Sequence, residues 1–401
     1  MKVLKKNQLL KNTIINIFSA GILTGITQLL IFPFISRQYD VETFGIIVSL
    51  HGFKTLIMNF IGNSMNNIRL IYNDKVTIKG NFKIILYICL FLAVIFSALL
   101  FNLYGVNIRP FEIVILTFIT VLATFRIYLV VYFRIEFDYN KIFITNILII
   151  SGYLIGLLLF NVLSYWWLVF LVGELFGVIY SLRNSNFLYE KVKPSRELFP
   201  LLKETMNLIF SNSISNGLGY LDRFLITPII NATAMSTYYS VSIFSKIINM
   251  LVVPFNNVLL SYITKNSNKK NKNLLVKLNI LLVVSLIPIY FILNFLTPYL
   301  LKIFYPHFLK NGIKYIAIIN LGTILKLLGS LTNTFILKLH KMNYQVSIQL
   351  IYAIIYLISA LYLTINKGLM GFAIATAGSN FIKWFLLLCL GILIPSSIHD
   401  E

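Results

Sequence analysis

Carboxylates are scarce in this chain, whose 401 residues carry 13 Asp and Glu against 34 Lys and Arg, a formal net charge of +21. Charge of either sign is also scarce, at 12% of residues, where soluble domains carry about a quarter. With 58% hydrophobic residues and a mean hydropathy of +0.84, an ordinary soluble domain is excluded. Cysteine is limited to Cys89 and Cys389, both inside apolar runs, which gives no support to a disulfide framework or a thiolate metal site. His51, His307, His340 and His399 are too scattered to form a metal cluster. No Gly-rich phosphate loop with its lysine and no HExxH motif occurs, and no large extramembrane segment is available to build an active site. The composition therefore points to a non-enzymatic membrane protein, with no cofactor or metal expected.

What the chain does have is apolar runs of about 20 residues along nearly its whole length, the length a helix needs to cross roughly 30 Å of hydrocarbon. Such runs are too long for the strands of a membrane β-barrel. Polar breaks divide them into twelve expected spans at about 12–35, 45–66, 82–103, 111–133, 142–160, 164–182, 199–219, 235–260, 274–298, 313–337, 344–364 and 369–394. The fold class expected is an all-α integral membrane protein. The start, MKVLKKNQLLK, has the charge of a signal peptide, but the run after it continues to Phe34 without a small-residue cleavage site and reads as a retained first helix.

With the amino terminus placed in the cytoplasm, 22 basic residues fall in cytoplasmic segments and 7 in outside ones. That asymmetry follows the positive-inside rule and puts both termini in the cytoplasm. It also removes the soluble-protein reading of a basic chain, nucleic-acid binding. The longest cytoplasmic loop, about 182–200, follows six spans and precedes six more, so the expected organisation is an N-lobe, 1–192, and a C-lobe, 193–401. A faint echo between FGIIVSLHGFK at 44–54 and YYSVSIFSK at 238–246 suggests duplication and makes Lys54 and Lys246 near-equivalent. Parallel six-helix repeats with a substrate site near the midplane are a known transporter plan.

Five cations remain inside the spans: Lys54, Arg126, Lys246, Lys326 and Lys383. Only one carboxylate, Glu174, lies at comparable depth. A charge at the bilayer centre costs about 2.5–3.5 kcal/mol on insertion scales, so such residues face partners or a cavity. Two readings follow. One pair, such as Arg126 with Glu174, is structural and the other cations snorkel or meet helix carbonyls. Alternatively, the cations line a wet cavity for a phosphate or pyrophosphate, with lysine as a point charge and arginine as a bidentate ligand.

The remaining polar residues in the spans, among them Asn16, Asn146, Asn212, Asn256, Asn257 and Asn380, are expected mainly to join neighbouring helices. Gly21/Gly25, Gly152/Gly156 and Gly173/Gly177 have the spacing for close helix packing. Pro33, Pro254 and Pro288 are candidate kinks. The Tyr165-Trp166-Trp167 cluster is expected in an interfacial aromatic belt.

IFPFISRQYDVETFGI at 31–46 ends the first helix with a Pro, an Arg and an acidic-x-x-Gly turn, and GYLDRFLI at 219–226 ends the seventh with an Asp-Arg pair ahead of the Tyr238-Tyr239-Ser240 helix. In these features the chain resembles the polysaccharide biosynthesis exporters, the Wzx-type O-antigen and capsule flippases of the MOP (multidrug/oligosaccharidyl-lipid/polysaccharide) superfamily, over essentially its full length. It departs from them at Ser236-Thr237, where the family commonly has glycine before the tyrosine.

The resemblance implies a MATE/MOP-like fold, about twelve helices in two six-helix lobes around a central cavity, in the bacterial cytoplasmic membrane. It implies an undecaprenyl-pyrophosphate-linked oligosaccharide as substrate, flipped by alternating access, with polymerase and chain-length proteins of the same pathway as partners. Lys54 and Lys246 would then hold the pyrophosphate, seconded by Arg126, Lys326 and Lys383, and Arg37, Asp222 and Arg223 would serve as outer gate or structural caps. Two rivals stand beside it: a multidrug or cation antiporter of the same superfamily, which should bury several carboxylates, and a membrane polysaccharide polymerase, which should carry a sizeable external loop.

Overall fold

The computed structural model describes residues 6–73, 79–105, 108–248, 272–339 and 342–393. Pro254, Asn249, Asn256, Asn257, His340, His399 and the lysines at 265, 269 and 270 lie outside them, as does the side chain of Asn16. All regular structure among the described residues is helical.

The first span joins α1 (Lys6–Ile26) to α2 (Phe32–Gln38) through a π turn at Thr27–Ile31. Pro33 follows that turn and has no N–H to return to residue 29, one reason the ladder is irregular here. The second span joins α3 (Val41–Ile57) to α4 (Asn63–Ile71) through another π turn, Met58–Gly62. An inserted residue of this kind rotates the faces of everything after it. Then come α5 (Asn81–Tyr104), α6 (Pro110–Ile135), α7 (Tyr139–Leu163) and α8 (Trp167–Arg183). Pro110 opens α6 at a position where a missing N–H costs nothing. Asp138 caps α7, its side chain accepting from the Lys141 N–H at 3.3 Å, and Ser164 in the left-handed region ends it.

The central connection holds one 3-10 turn, Asn186–Tyr189, before α9 (Leu198–Gly219) and α10 (Leu221–Ile229). Helical residues 232–248 form α11, followed by α12 (Lys272–Phe304), α13 (Leu309–Leu339) and α14 (Met342–Leu393). Gly368, at φ +56° and ψ −139°, breaks α14 into two helices, a backbone state that glycine adopts without strain. Each of the twelve expected spans therefore coincides with a described helix, the eighth as far as residue 248. Among the described residues, eight helices are long and apolar enough to cross a membrane by length and composition. The α14 pair counts as one of these, and α8, α9 and α11 are shorter or more polar.

The chain packs as two compact units, one of Met1–Gln38 and Ile46–Arg223, the other of Tyr39–Gly45 and Phe224–Glu401. Helix α9 clusters with the helices before it. In the second unit the short piece that opens α3 is held tightly: a Cβ on Gly45 would lie 1.9 Å from the Ala232 carbonyl oxygen, so only glycine fits. Beside it Phe44 packs against Phe308 with ring centroids 5.6 Å apart, and against Tyr239 at 6.2 Å.

Several packing expectations are met and two are corrected. Asn146 donates to Ser19 Oγ at 2.7 Å, Asn212 to Ser64 Oγ at 2.7 Å and Asn380 to the Gly322 carbonyl at 3.1 Å, each joining two helices. At Gly152, Gly156 and Gly173, α7 and α8 approach so closely that a Cβ would overlap the neighbour at 2.6 Å or less. Gly21 and Gly25 have nothing within 4 Å of a built Cβ, so that pair does not mediate close packing among the described residues. Trp166 and Trp167 are buried, with Trp167 stacked on Tyr165 at 5.3 Å, so the expected belt is a packed cluster.

Candidate functional site

The charges inside the first unit converge on one carboxylate. Helix α8 carries Glu174 with its side chain 1% exposed, α3 supplies Lys54 and α6 supplies Arg126. Lys54 Nζ donates to Glu174 Oε1 at 3.1 Å, and Arg126 Nε donates to Glu174 Oε2 at 2.7 Å, with its Nη2 at 3.5 Å from Oε1. The pairing considered for Arg126 with Glu174 is in place, and Lys54 shares the same carboxylate. Two cations on one anion leave one positive charge uncompensated inside the cluster. A buried ion pair survives only with good geometry and further hydrogen bonds, and both carboxylate oxygens are occupied here.

Apolar and aromatic groups shape the cluster. Lys54 Nζ lies 5.4 Å from the Phe170 ring centroid, a cation–π distance. His51, one turn before Lys54, stacks on the same ring at 4.6 Å and meets Phe32 edge-on at 5.0 Å. Arg126 Nη2 reaches Met58 Sδ at 3.7 Å, on the π turn after α3. Gly177, one turn after Glu174, leaves the room that the Arg126 arm occupies: a Cβ there would sit 2.6 Å from Arg126 Cδ. Phe170, His51, Met58 and Gly177 were not singled out for this role in the sequence. The glycine spacing was the one visible signal, read as helix packing alone.

The second unit treats its span cations differently. From Phe224 to His399 the sequence holds fourteen lysines and no Asp or Glu at all. Lys383 on α14 donates to Gln349 Oε1 at 2.9 Å and lies 4.6 Å from the Tyr352 ring centroid. Lys246 on α11 is half-buried, its Nζ 5.3 Å from the Tyr238 ring. Lys326 lies on the exposed side of α13. Around Lys383 a neutral oxygen and a ring face stand where a carboxylate stands in the first unit. Of the five span cations, the structure brings Lys54 and Arg126 into one cluster, while Lys246, Lys326 and Lys383 belong to the second unit.

The candidate gate residues separate as well. Arg37 is exposed in the last turn of α2. Asp222 and Arg223 are 4% and 8% exposed and form an ion pair with each other at the α9–α10 break, with Arg223 over the Tyr220 ring at 5.2 Å. Arg223, counted with the loops on sequence grounds, packs along Gly52 of α3. Asp40 lies at a span boundary, between α2 and α3. Its carboxylate accepts from Thr43 Oγ1 at 2.6 Å and from the N–H groups of Thr43 and Glu42, each at 3.1 Å, which holds its pKa below the ordinary value.

A polytopic all-α bundle that keeps charges inside its spans is the class these coordinates define. Compared with solved structures, that class narrows to the MATE/MOP-like fold. An inward-facing multidrug-resistance MATE transporter of the MOP superfamily superposes with a TM-score of 0.67 over 94% of this chain and 97% of its own, at 11% identity. The lipid II flippase MurJ, in an inward closed conformation, gives 0.64 over 95% and 86% at 18% identity. A MOP-superfamily transporter from Pyrococcus furiosus, described by a reversed polarity of its binding pocket, gives 0.61 over 96% and 94% at 13% identity. No family model and no curated protein matches the chain in sequence. At these identities the likeness is one of fold.

Proposed function

We propose that the chain is a flippase that carries undecaprenyl-pyrophosphate-linked oligosaccharide repeat units, of the O-antigen or capsule type, across the bacterial cytoplasmic membrane by alternating access. The observation that carries this reading is the charge imbalance: Glu174 already shared by two cations, Asp222 paired with Arg223, and a second half with no acid from Phe224 to His399. An anionic headgroup supplies the charge that the protein withholds. Lys383, held by a ring face and a neutral amide, can exchange those weak partners for phosphate oxygens, and Lys246, over the Tyr238 ring, lies in the same unit. Lys54 and Arg126 contribute the net positive charge of the Glu174 cluster, and Lys326 adds to the field. The MurJ likeness lends support through its lipid-linked cargo.

The multidrug or cation antiporter draws on the MATE likeness and on the buried Glu174. A cation carrier needs a carboxylate to offer its cargo or coupling ion, and both oxygens of Glu174 are taken by Lys54 and Arg126.

The deciding experiment is gene deletion followed by sidedness analysis of the lipid-linked sugar. Accumulation on the cytoplasmic face supports the flippase; unpolymerised single repeat units outside would support a polymerase, and unchanged sidedness with drug sensitivity would support the antiporter. Lys54→Ala with Lys246→Ala should abolish surface polysaccharide while the protein stays in the membrane, with Lys→Arg partly tolerated.

A further inference from the structure

The connection between α8 and α9 is not a slack linker. The Phe187 side chain is buried against Phe125, Tyr128 and Tyr132 of α6, at ring-centroid distances of 5.3, 6.3 and 6.5 Å. Lys83 of α5 lies over the Phe187 ring at 4.6 Å. Three residues on, Glu190 forms an ion pair with Arg69 of α4, a guanidinium 2% exposed and 4.4 Å from the Phe82 ring. The Lys193 N–H donates to the Gly80 carbonyl at 3.3 Å. Ser195 completes the attachment in both directions: its N–H donates to Asn81 Oδ1 and its Oγ accepts from Asn81 Nδ2, each at 2.8 Å. All these contacts lie within the first compact unit.

A loop pinned by one face has a fixed outer face, and the composition of that face is unusual. Leu188 is 60% exposed, Tyr189 84%, Val192 54% and, in the first turn of α9, Phe199 78%. Interleaved with them are exposed Lys191, Lys193, Arg196 and Lys203. Among the described residues, the exposed acids nearby are Glu197 and Glu204, and Glu204 accepts a hydrogen bond from Tyr72. Single exposed apolar residues need no explanation. Four large ones within twelve residues, alternating with basic side chains in a chain with eight described helices long and apolar enough to cross a membrane, are the composition of an interfacial segment.

We propose that residues 188–203 form an interfacial docking surface for the anionic phospholipids of the leaflet they adjoin. The apolar side chains insert at the headgroup level and the four basic residues meet lipid phosphates. Basic residues beside an anionic leaflet gain about 1 kcal/mol each from the surface potential. The ring of Tyr189 has the amphipathic character favoured at that depth. Because the inner face is tied to α4, α5 and α6, lipid contact at this surface is transmitted to the helices that frame the first unit rather than dissipated in a free loop. This assignment needs only that the chain spans the bilayer and is independent of what the chain transports.

The test uses the full-length protein in nanodiscs, with Cys89 and Cys389 replaced by serine and a nitroxide attached to a Tyr189→Cys or, separately, a Val192→Cys variant. Both positions are exposed, so neither substitution disturbs the packed face. In bilayers containing phosphatidylglycerol, the label should collide readily with oxygen and poorly with a water-soluble nickel chelate. Free collision with the chelate would place the surface in water and overturn the proposal. Weak collision with both reagents would place it under protein, another copy or a partner, and would overturn it equally.

The electrostatic half is tested by titrating phosphatidylglycerol into a zwitterionic bilayer. Lys191→Gln, Lys193→Gln, Arg196→Gln and Lys203→Gln should each move the midpoint of the nitroxide response about fivefold, the equivalent of about 1 kcal/mol per charge. A midpoint unmoved in all four would overturn the anionic specificity.

Discussion

The two units solve the same electrostatic problem in opposite ways. In the first, Lys54 and Arg126 are matched to Glu174 by direct hydrogen bonds, and the room for that match is built into the backbone at Gly177. In the second, Lys383 and Lys246 sit against Tyr352, Gln349 and Tyr238, none of which carries charge. The first arrangement occupies both oxygens of its carboxylate and keeps one cation in excess. In the second, Lys383 meets a neutral amide and a ring face, partners that the proposed cargo anion would displace.

The largest effect expected from this contrast is at Glu174. Its replacement by glutamine leaves two buried cations without a counter-charge, and breaking a buried pair by removing one partner costs about 3–5 kcal/mol. Glu174→Gln should therefore lower the thermal unfolding midpoint of the purified protein sharply and deplete it from membranes. Lys383→Met is the opposite case, since it removes a half-buried charge that has no ion pair among the described residues. Stability should be unchanged or slightly raised while surface polysaccharide is lost. Equal destabilisation by the two substitutions would erase the distinction between the units.

An intermediate effect is expected at Gly177. Alanine there must displace Arg126 Cδ, 2.6 Å away, and Ile149 Cγ1, 2.8 Å away. Overpacking of this kind costs about 1–3 kcal/mol. The loss should be smaller than for Glu174→Gln and should be partly relieved by Ile149→Val or Ile149→Ala, which a double-mutant cycle in thermal stability would show.

Much of this was legible beforehand, for identifiable reasons. Span positions follow from apolar run length, which is why each expected span meets a helix and why even the 368 break between the last two was visible as Asn366-Lys367-Gly368. The Arg126–Glu174 pairing was readable because a lone deep carboxylate has few places to go. Lys54 joining it was not readable, since the approach of α3 to α8 depends on three-dimensional packing and on the π turn at Met58–Gly62, which no propensity announces. Arg69 and Arg223 looked like loop cations because they flank spans, yet both are buried by contacts with distant segments, Glu190 for one and Gly52 for the other. The acid-free run from Phe224 to His399 was fully present in the sequence, and its meaning emerged only when the first unit was seen to consume its own carboxylate.

The smallest effect separates stability from charge at a span boundary. Asp40 opens α3, accepting from the N–H groups of Glu42 and Thr43 while its own carbonyl receives the Phe44 N–H at 3.0 Å. Removing such a cap costs about 1 kcal/mol, and this one is exposed, which favours the lower end. The sign of its pH dependence follows from the depressed pKa. A carboxylate stabilised in the folded state contributes fully above its unfolded value of about 3.9, and the contribution is lost as pH falls through the lower folded value. The unfolding midpoint should therefore drop between wild type and Asp40→Ala at neutral pH, and the gap should close under acid conditions below pH ~4. A gap that persists unchanged into acid would mean that the carboxylate charge contributes nothing at this cap and that shape alone holds the α2–α3 corner.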